Sequence, residues 1–197
     1  EQTKGFVNNK YLGSDLNLYQ KLRTKYKDYE LSTVVDKDDG ELSITDFYSF
    51  ALKYEIDNFK LIVGDYNLSF GLGNLYDQSF LSLKNLDFIN TSSKFGNGAE
   101  LNRSTIDNNF FRGGYLEKTF HFNSTSNLRL STIYADSKRS ATIDTSRDIV
   151  SSIYKSGYFR TETEINKKNQ LDELLLGFNI EYETENFSVG ALTTHLS

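Results

Sequence analysis

The sequence of 197 residues contains no cysteine, proline, methionine or tryptophan. The lack of cysteine excludes disulfide bonds, zinc-finger spacings and thiol nucleophiles. With only two histidines, His121 and His195, a histidine-rich metal centre is excluded as well. No apolar run approaches the roughly 20 residues that a transmembrane helix needs. The net charge of −5 argues against a surface that coats nucleic acid, so we expect no nucleic-acid partner.

Aromatic residues reach 14% although the mean hydropathy is only −0.51. Apolar and polar residues alternate along eight segments of about ten residues, which is typical of β-strands with one apolar face. In the clearest segment, Phe50 and Leu52 alternate with Ala51 and Lys53. Helical spacing is suggested only in Thr161 to Asn169. The predicted strands are 16–26, 29–36, 47–56, 59–70, 111–122, 128–134, 174–183 and 187–193.

Short and long links alternate between these strands. After a lead-in of residues 1–14, the segment 15–197 holds the strands and three long links, 37–45, 71–109 and 137–171. A transmembrane barrel has tight turns at one end and extended outer loops at the other, and strands of about ten residues suit a tilted bilayer crossing. We therefore expect an all-β, antiparallel up-and-down transmembrane β-barrel of about eight visible strands, either closed by itself or part of a larger barrel.

In such a barrel the four short links would face the periplasm. These links lie at the strand ends near Lys27, Asp57, Asn123 and Glu185. The absence of proline fits this fold, since a missing backbone donor cannot be replaced by lipid.

Several segments occur in an order that resembles a known family. The strongest is LIVGDYNLSFGLG at 61–73, accompanied by YLGS at 11–14, DKDDGE at 36–41, FFRG at 110–113 and GYFRT at 157–161. These segments resemble the large outer-membrane β-barrel proteins of Bacteroidota-type bacteria commonly labelled helix-hairpin-helix domain-containing proteins. The resemblance covers roughly residues 11 to 196 and implies a barrel in the bacterial outer membrane, with no established catalytic residues.

Two features depart from that family. The helix-hairpin-helix motif is absent from this sequence, so the resemblance implies no nucleic-acid role. The chain is shorter than the family's members, and Ser197 is not the terminal aromatic residue typical of complete bacterial barrels. We therefore expect a part of a larger barrel, although eight strands also suffice for a small closed one.

One polar strand face is a candidate lining of the barrel lumen. It carries a positive ladder that would guide anionic solutes, formed by Tyr19, Lys21, Arg23 and Lys25. The alternative is that acids on other polar faces neutralise this ladder and fill the interior, namely Asp65, Glu181 and Glu183.

The long link 71–109 is too apolar for a freely solvated loop. It is expected to fold inward as a constriction or plug, to cover the barrel mouth, or to contact a partner, and simple packing on itself is the alternative. Its candidate plug residues are Tyr76, Phe80, Leu83 and Phe88.

An acidic run offers only a weak candidate for calcium. Clustered carboxylates can wrap a hard cation, and the candidate ligands are Asp36, Asp38, Asp39 and Glu41. The EF-hand pattern fails, because Gly40 is fifth instead of sixth and position twelve is Phe47. A solvated loop with a glycine turn is the better interpretation, and we expect no cofactor.

No catalytic residue is nominated, because neither histidine has the neighbours that mark a triad. The sequence thus predicts a non-enzymatic protein in the lipid bilayer of the bacterial outer membrane, acting as a scaffold or solute conduit. Its long extracellular loops would gate the solute or bind a protein partner in a larger membrane complex. The alternative is a soluble or surface-attached all-β module that recognises glycan or protein through aromatic residues.

Overall fold

The computed structural model describes residues 4–71, 96, 98–106, 109–144, 146–147 and 149–197. Most residues of this part of the chain lie in β-strands, and its two helices have a single turn each, α1 (Lys4–Val7) and α2 (Glu162–Ile165). The strands are β1 (Leu18–Tyr26), β2 (Tyr29–Lys37), β3 (Phe47–Ile56), β4 (Phe59–Ser69), β5 (Gly98–Leu101), β6 (Phe111–Asn123), β7 (Ser126–Arg139), β8 (Ala141–Asp144), β9 (Ile149–Ile153), β10 (Leu171–Glu183) and β11 (Ser188–Leu196).

The main sheet has the order β1-β2-β3-β4-β6-β7-β10-β11, and every neighbouring pair is antiparallel. Strand β5 pairs with the end of β4 outside this order, and β8 and β9 form a separate hairpin. The prediction of an all-β, antiparallel, up-and-down sheet is confirmed. Within the described ranges the sheet is open, because β1 and β11 are its two edges and do not pair with each other.

All eight predicted strands are present; most differ by no more than three residues at either end, but the strand predicted over 128–134 extends over Ser126–Arg139. Their alternation of apolar and polar residues is sufficient to place them, because it matches the two-residue period of a strand. Strands β5, β8 and β9 lie in links that were expected to be irregular. Of the segment 161–169, where helical spacing was suggested, only Glu162–Ile165 form a helix, α2. It begins with a capping box between Thr161 and Glu164. No helix in the described part of the chain is long and apolar enough to cross a membrane.

The two faces of the main sheet differ in chemistry and in exposure. Residues directly opposite in a ladder share a face. The register therefore places on one face the row Leu31, Leu52, Val63, Gly114, Tyr134 and Leu176. We call this the outer face; its large apolar side chains are exposed, with Val63 at 51% and Leu176 at 44% of full exposure.

The opposite face, here called the inner face, is the covered one. It carries buried charged and polar residues beside a central apolar cluster. The buried polar set includes Glu30, Ser32, Ser49, Lys53, Lys60, Glu117, Ser131 and Asn179. The apolar cluster joins the main sheet to the β4–β5 hairpin through Ile62, Tyr66, Leu68, Ala99, Leu101, Tyr115, Ile133 and Leu175.

Candidate functional site: the inner face and the segment that crosses it

A stretch of main chain lies across the inner face. It consists of residues 98–104, which we call the crossing segment, and it begins with β5. Near its start it touches β6, where a β-carbon added at Gly98 would collide with the Tyr115 hydroxyl and lie 2.8 Å from a Glu117 carboxylate oxygen. Near its end the Arg103 carbonyl accepts a hydrogen bond from Lys21 of β1 at 2.9 Å. The crossing segment therefore spans the inner face from β6 to β1.

Polar side chains anchor the middle of the crossing segment to β2 and β3. The Ser32 hydroxyl donates to the Asn102 carbonyl at 3.1 Å. The Asn102 side-chain amide donates to the Ser49 hydroxyl and to the Ser104 carbonyl, both at 3.0 Å. Since Ser32, Ser49 and Asn102 are at most 2% exposed, these bonds satisfy groups that water does not reach.

Charges of both signs hold the crossing segment against the sheet. Glu100 lies 3.5 Å from the Lys53 ammonium and 3.9 Å from that of Lys60. Arg103 reaches a Glu30 carboxylate oxygen at 3.1 Å. These cations and anions come from β2, β3, β4 and the crossing segment. The inner face therefore holds paired charges of both signs.

The buried Glu30 carboxylate is the centre of this network. Besides Arg103, it contacts Arg23 of β1 at 2.7 Å and Lys53 of β3 at 3.5 Å. Its side chain is only 5% exposed, and a buried carboxylate requires such partners because burial alone would strongly disfavour its charge.

Strand β4 separates from β3 at Gly64, where the β3–β4 ladder ends, while its ladder with β6 continues to Tyr66. Gly64 has φ of +109°, and a β-carbon there would collide with the Phe50 carbonyl oxygen, so only glycine fits this position. Beyond it, β4 pairs with β5 over Tyr66 to Ser69. This change of partner delivers the crossing segment to the inner face.

Loop 38–46 and the link 140–170 contact each other at the end of the main sheet that carries the long links, which we call the loop end. Glu41, which is 2% exposed, accepts a hydrogen bond from the Asp38 N–H at 2.8 Å and another from the Phe159 N–H at 3.1 Å. Burial raises the pKa of the Glu41 carboxyl above its ordinary value, although these two hydrogen bonds oppose the shift. The Glu41 side chain thus connects the two links, through a hydrogen bond to a residue 118 positions away in sequence, Phe159.

A cavity of about 570 Å3 opens beside this region. Three cations of its lining have acidic partners: Arg112 contacts Asp65, Arg139 contacts Glu173 at 2.6 Å, and Lys168 contacts Asp46 at 2.8 Å. The cavity therefore presents paired charges, and nothing in its lining favours a particular ligand.

The structure places the ladder of β1 on the inner face. Because Lys21, Arg23 and Lys25 stand opposite Val34, Ser32 and Glu30, they share the face of those β2 residues, and Tyr19 follows the same alternation. Glu181 and Glu183 lie on the same side of the sheet, where Arg129 approaches them at 3.4 and 3.9 Å.

Asp65, the third acid predicted to fill the interior, does not lie on the same face as Glu181 and Glu183. It stands opposite Arg112, on the outer-face side of the β4–β6 ladder, and does not share the face of Glu181. The reason is that the inner side of β4 is occupied by its apolar residues, Ile62 and Tyr66, which pack into the central cluster.

The candidate plug residues Tyr76, Phe80, Leu83 and Phe88 lie outside the described residues. The later part of the same predicted link, however, is the crossing segment on the inner face. In the acidic run, Asp36, Asp38 and Glu41 line one small cavity, where Glu41 bridges two links, and Asp39 lies 3.8 Å from Arg160. Among the described residues, no group of three or more histidine or acidic side chains is arranged to hold a metal.

Sequence reasoning missed several residues of this site. Lys53 could have been found, because it occupies the polar side of a predicted alternating strand. Lys60 could not be found in this way, because it shares the side of its strand that carries Ile62 and Tyr66. Glu100 and Arg103 could not be found in this way. They lie in a link where no regular spacing of apolar and polar residues predicts the path of the chain over the sheet.

The chain was compared with protein-family models, with curated proteins and with solved structures, and no match was found in any of the three.

Proposed function

We propose that this chain forms the wall of a transmembrane β-barrel in the bacterial outer membrane and acts without catalysis, as a scaffold or a gated solute conduit. The supporting observation is the inverted distribution of polarity. The exposed outer face is the apolar one, while the covered inner face holds Glu30, Lys53 and Lys60. Water would favour the opposite arrangement, whereas lipid favours this one.

The outer face has the extent that a bilayer crossing needs. Its strands are 9 to 14 residues long, and about nine to eleven residues span the hydrocarbon layer at a tilt. Exposed aromatic side chains lie near strand ends, including Tyr26, Tyr29 and Phe122, where the interfacial region favours them.

The crossing segment supports the assignment of a scaffold or gated conduit. It covers the inner face from β1 to β6 and is held there by charge pairs with Lys53, Lys60 and Glu30. A barrel with such a segment across its wall would pass solute only where the segment leaves space or moves away. The family resemblance to outer-membrane barrels agrees with this proposal.

Arginine substitution at mid-strand positions of the outer face tests the proposal. Leu176→Arg and Leu52→Arg should each cost about 2 to 4 kcal/mol of stability in the membrane and reduce recovery in the outer-membrane fraction, because each places a charge in hydrocarbon. The matched control is Val150→Arg. Val150 is 42% exposed, close to the 44% of Leu176, but it lies in the separate β8–β9 hairpin at the loop end.

Three results would count against the proposal. Normal membrane assembly of both strand variants would show that the outer face does not meet lipid. Equal losses for Val150→Arg and Leu176→Arg would show a general intolerance of arginine. A wild-type protein found only in the aqueous fraction would favour the alternative, a soluble binding module with exposed aromatic residues.

A further inference from the structure

Residues 155–166, which we call the flap, leave the loop end of the sheet and return to almost the same point. Before the flap, the Tyr154 N–H donates to the Ser140 carbonyl at 2.8 Å. After it, the Lys167 carbonyl accepts the Ala141 N–H at 2.9 Å. Because Ser140 and Ala141 are neighbours in sequence, the two ends of the flap meet just beyond β7. Compact surface loops with adjoining ends are frequently functional, and residues at the ends of elements serve as hinges.

The flap and its base are packed by their own side chains. The Tyr154 hydroxyl donates to the Tyr158 carbonyl at 2.9 Å, and the Tyr154 ring lies 5.6 Å from that of Phe159. Phe159 is 3% exposed, and the Lys168 ammonium lies 4.6 Å from its ring centre. Phe159 does not belong to the central cluster of the sheet. Movement of the flap away from the sheet would therefore leave that cluster intact.

The tip of the flap lies against the loop between β2 and β3. The Phe159 N–H donates to Glu41 at 3.1 Å, and Arg160 lies 3.8 Å from Asp39. The Arg160 carbonyl accepts the Leu12 N–H of the lead-in at 2.9 Å. In the sheet order β3 and β7 are separated by β4 and β6. The flap therefore extends from the end of β7 past these two strands to the β2–β3 loop.

The flap covers the inner face at this end of the sheet. A cavity of about 260 Å3 lies between flap residues 155–158 and the side chains of Asp36 and Phe47. Asp36 and Phe47 stand opposite each other on the inner face of β2 and β3. Thr105 and Ile106, which directly follow the crossing segment, line the same cavity. The flap thus lies over the end of the crossing segment.

We propose that the flap is a lid on the loop-end opening of the conduit, held shut by Glu41 and Asp39 and opened by a swing about its adjoining ends. The contacts of its tip with the β2–β3 loop are a hydrogen bond and an ion pair, each of which contributes little by itself. When the flap swings out, the end of the crossing segment is uncovered. This inference rests on the proposed function and specifies where passage through the conduit is controlled.

A reversible cross-link tests whether the flap must open. The sequence has no cysteine, so the variant with Asp38→Cys and Ser156→Cys carries two thiols, both in the lining of the small cavity. A bifunctional methanethiosulfonate reagent should join them and abolish the KCl conductance of the membrane protein reconstituted in planar bilayers, and dithiothreitol should restore it. Ser156→Cys alone, treated with the same reagent, is the control for modification and should keep the wild-type conductance.

Glu41→Ala tests the opposite change, release of the flap. The Leu12 amide reports this release, because it donates to the Arg160 carbonyl, a bond that Glu41 does not itself make. Hydrogen exchange of the Leu12 amide should become about fivefold faster, and the KCl conductance should rise with it. The matched control is Asp172→Ala, which removes an exposed acid of β10 at the same end of the sheet and should change neither quantity.

Failure of the lid and failure of the proposed function give different results. Full conductance after cross-linking would overturn the lid and leave the conduit intact. The same holds if Glu41→Ala leaves Leu12 exchange unchanged, or speeds it without raising the conductance. Absence of any conductance from the membrane-inserted wild type and from Glu41→Ala would contradict the conduit itself. Absence of the wild type from the membrane fraction would contradict the proposed membrane location.

Discussion

Arg112 binds Asp65 with two parallel hydrogen bonds, at 2.7 Å from Nε and 2.9 Å from a terminal nitrogen, just beyond the point where β4 separates from β3. The second Asp65 oxygen also accepts the Phe50 N–H of β3, which has lost its backbone partner there. Arg112 in turn donates to the Tyr48 carbonyl of β3 at 3.1 Å. The pair therefore joins β3 to β6 across the gap that the departing β4 opens.

Removal of this link should destabilise the protein. Arg112→Ala leaves the Asp65 side chain, which is 1% exposed, without its cation, and we expect a loss of about 2 to 3 kcal/mol in the free energy of unfolding. Urea unfolding of the protein in detergent micelles measures it. The matched control is Lys138→Ala, because the pair of Lys138 with Asp172 is exposed on both sides and its removal should leave stability nearly unchanged. Equal losses in the free energy of unfolding would show that the Arg112–Asp65 pair contributes no more than an exposed ion pair.

Gly98→Ala should displace the crossing segment. Gly98 has φ of +77°, and its added β-carbon would meet the Tyr115 hydroxyl, which is buried and hydrogen-bonded to Ser131 at 3.0 Å. The control Gly71→Ala also has a positive φ, +54°, but no described atom lies within 4 Å of its added β-carbon. Backbone strain of about 1 kcal/mol is common to both, so a larger loss of stability in Gly98→Ala measures the collision. No difference between them would contradict the close contact with β6.

The charge pairs of Glu100 should control how readily the crossing segment leaves the inner face. Since Glu100 is about half exposed, Glu100→Ala should weaken the segment's attachment by about 0.5 to 1 kcal/mol. Trypsin cleavage after Arg103 should then be about two- to fivefold faster at low salt, and the difference should shrink in high salt because ions screen these pairs. Glu185→Ala, in an exposed turn at the other end of the sheet, should not change the rate. Unchanged cleavage in Glu100→Ala would show that these charges do not hold the segment.

The contact between Glu41 and Phe159 should depend on pH. Burial raises the pKa of Glu41 in the folded state, so the folded protein binds the proton more tightly than the unfolded chain does. The stabilisation is therefore greatest below the ordinary carboxyl pKa and is lost as the pH rises through the raised value. Hydrogen-exchange protection of the Phe159 amide, measured from about pH 4 to about pH 8, should fall with rising pH in the wild type. In Glu41→Gln the dependence should flatten, and a wild-type protection that rises with pH would contradict the assignment.

Much of the main sheet can be predicted from sequence because a strand with one apolar face has a local signature. Phe50 and Leu52 alternate with Ala51 and Lys53, and the structure gives this strand the predicted bounds, Phe47–Ile56. The same alternation distinguishes Leu176 from Leu175 on adjacent positions of β10. Short polar links such as Lys27-Asp28 also mark the turns, since Lys27 adopts the positive φ that tight turns require.

At β4 the alternation places the strand but does not show which of its sides packs into the central cluster. Both sides of that strand carry apolar residues, with Val63 on the outer face and Ile62 and Tyr66 on the inner one. Only the partner strands show which side packs into the central cluster. The same limitation applies to Glu100 and Arg103, whose counter-charges are 40 to 73 residues away in sequence.

The sequence by itself determined the strands, their antiparallel succession and the apolar character of one face, because each depends on residues two positions apart or on a short turn. The tertiary structure alone decided that β4 changes partner after Gly64 and that residues 98–104 cross the inner face. Those features depend on long-range contacts, such as Asp65 with Arg112 and Asn102 with Ser32, whose free energy exists only once the strands are assembled.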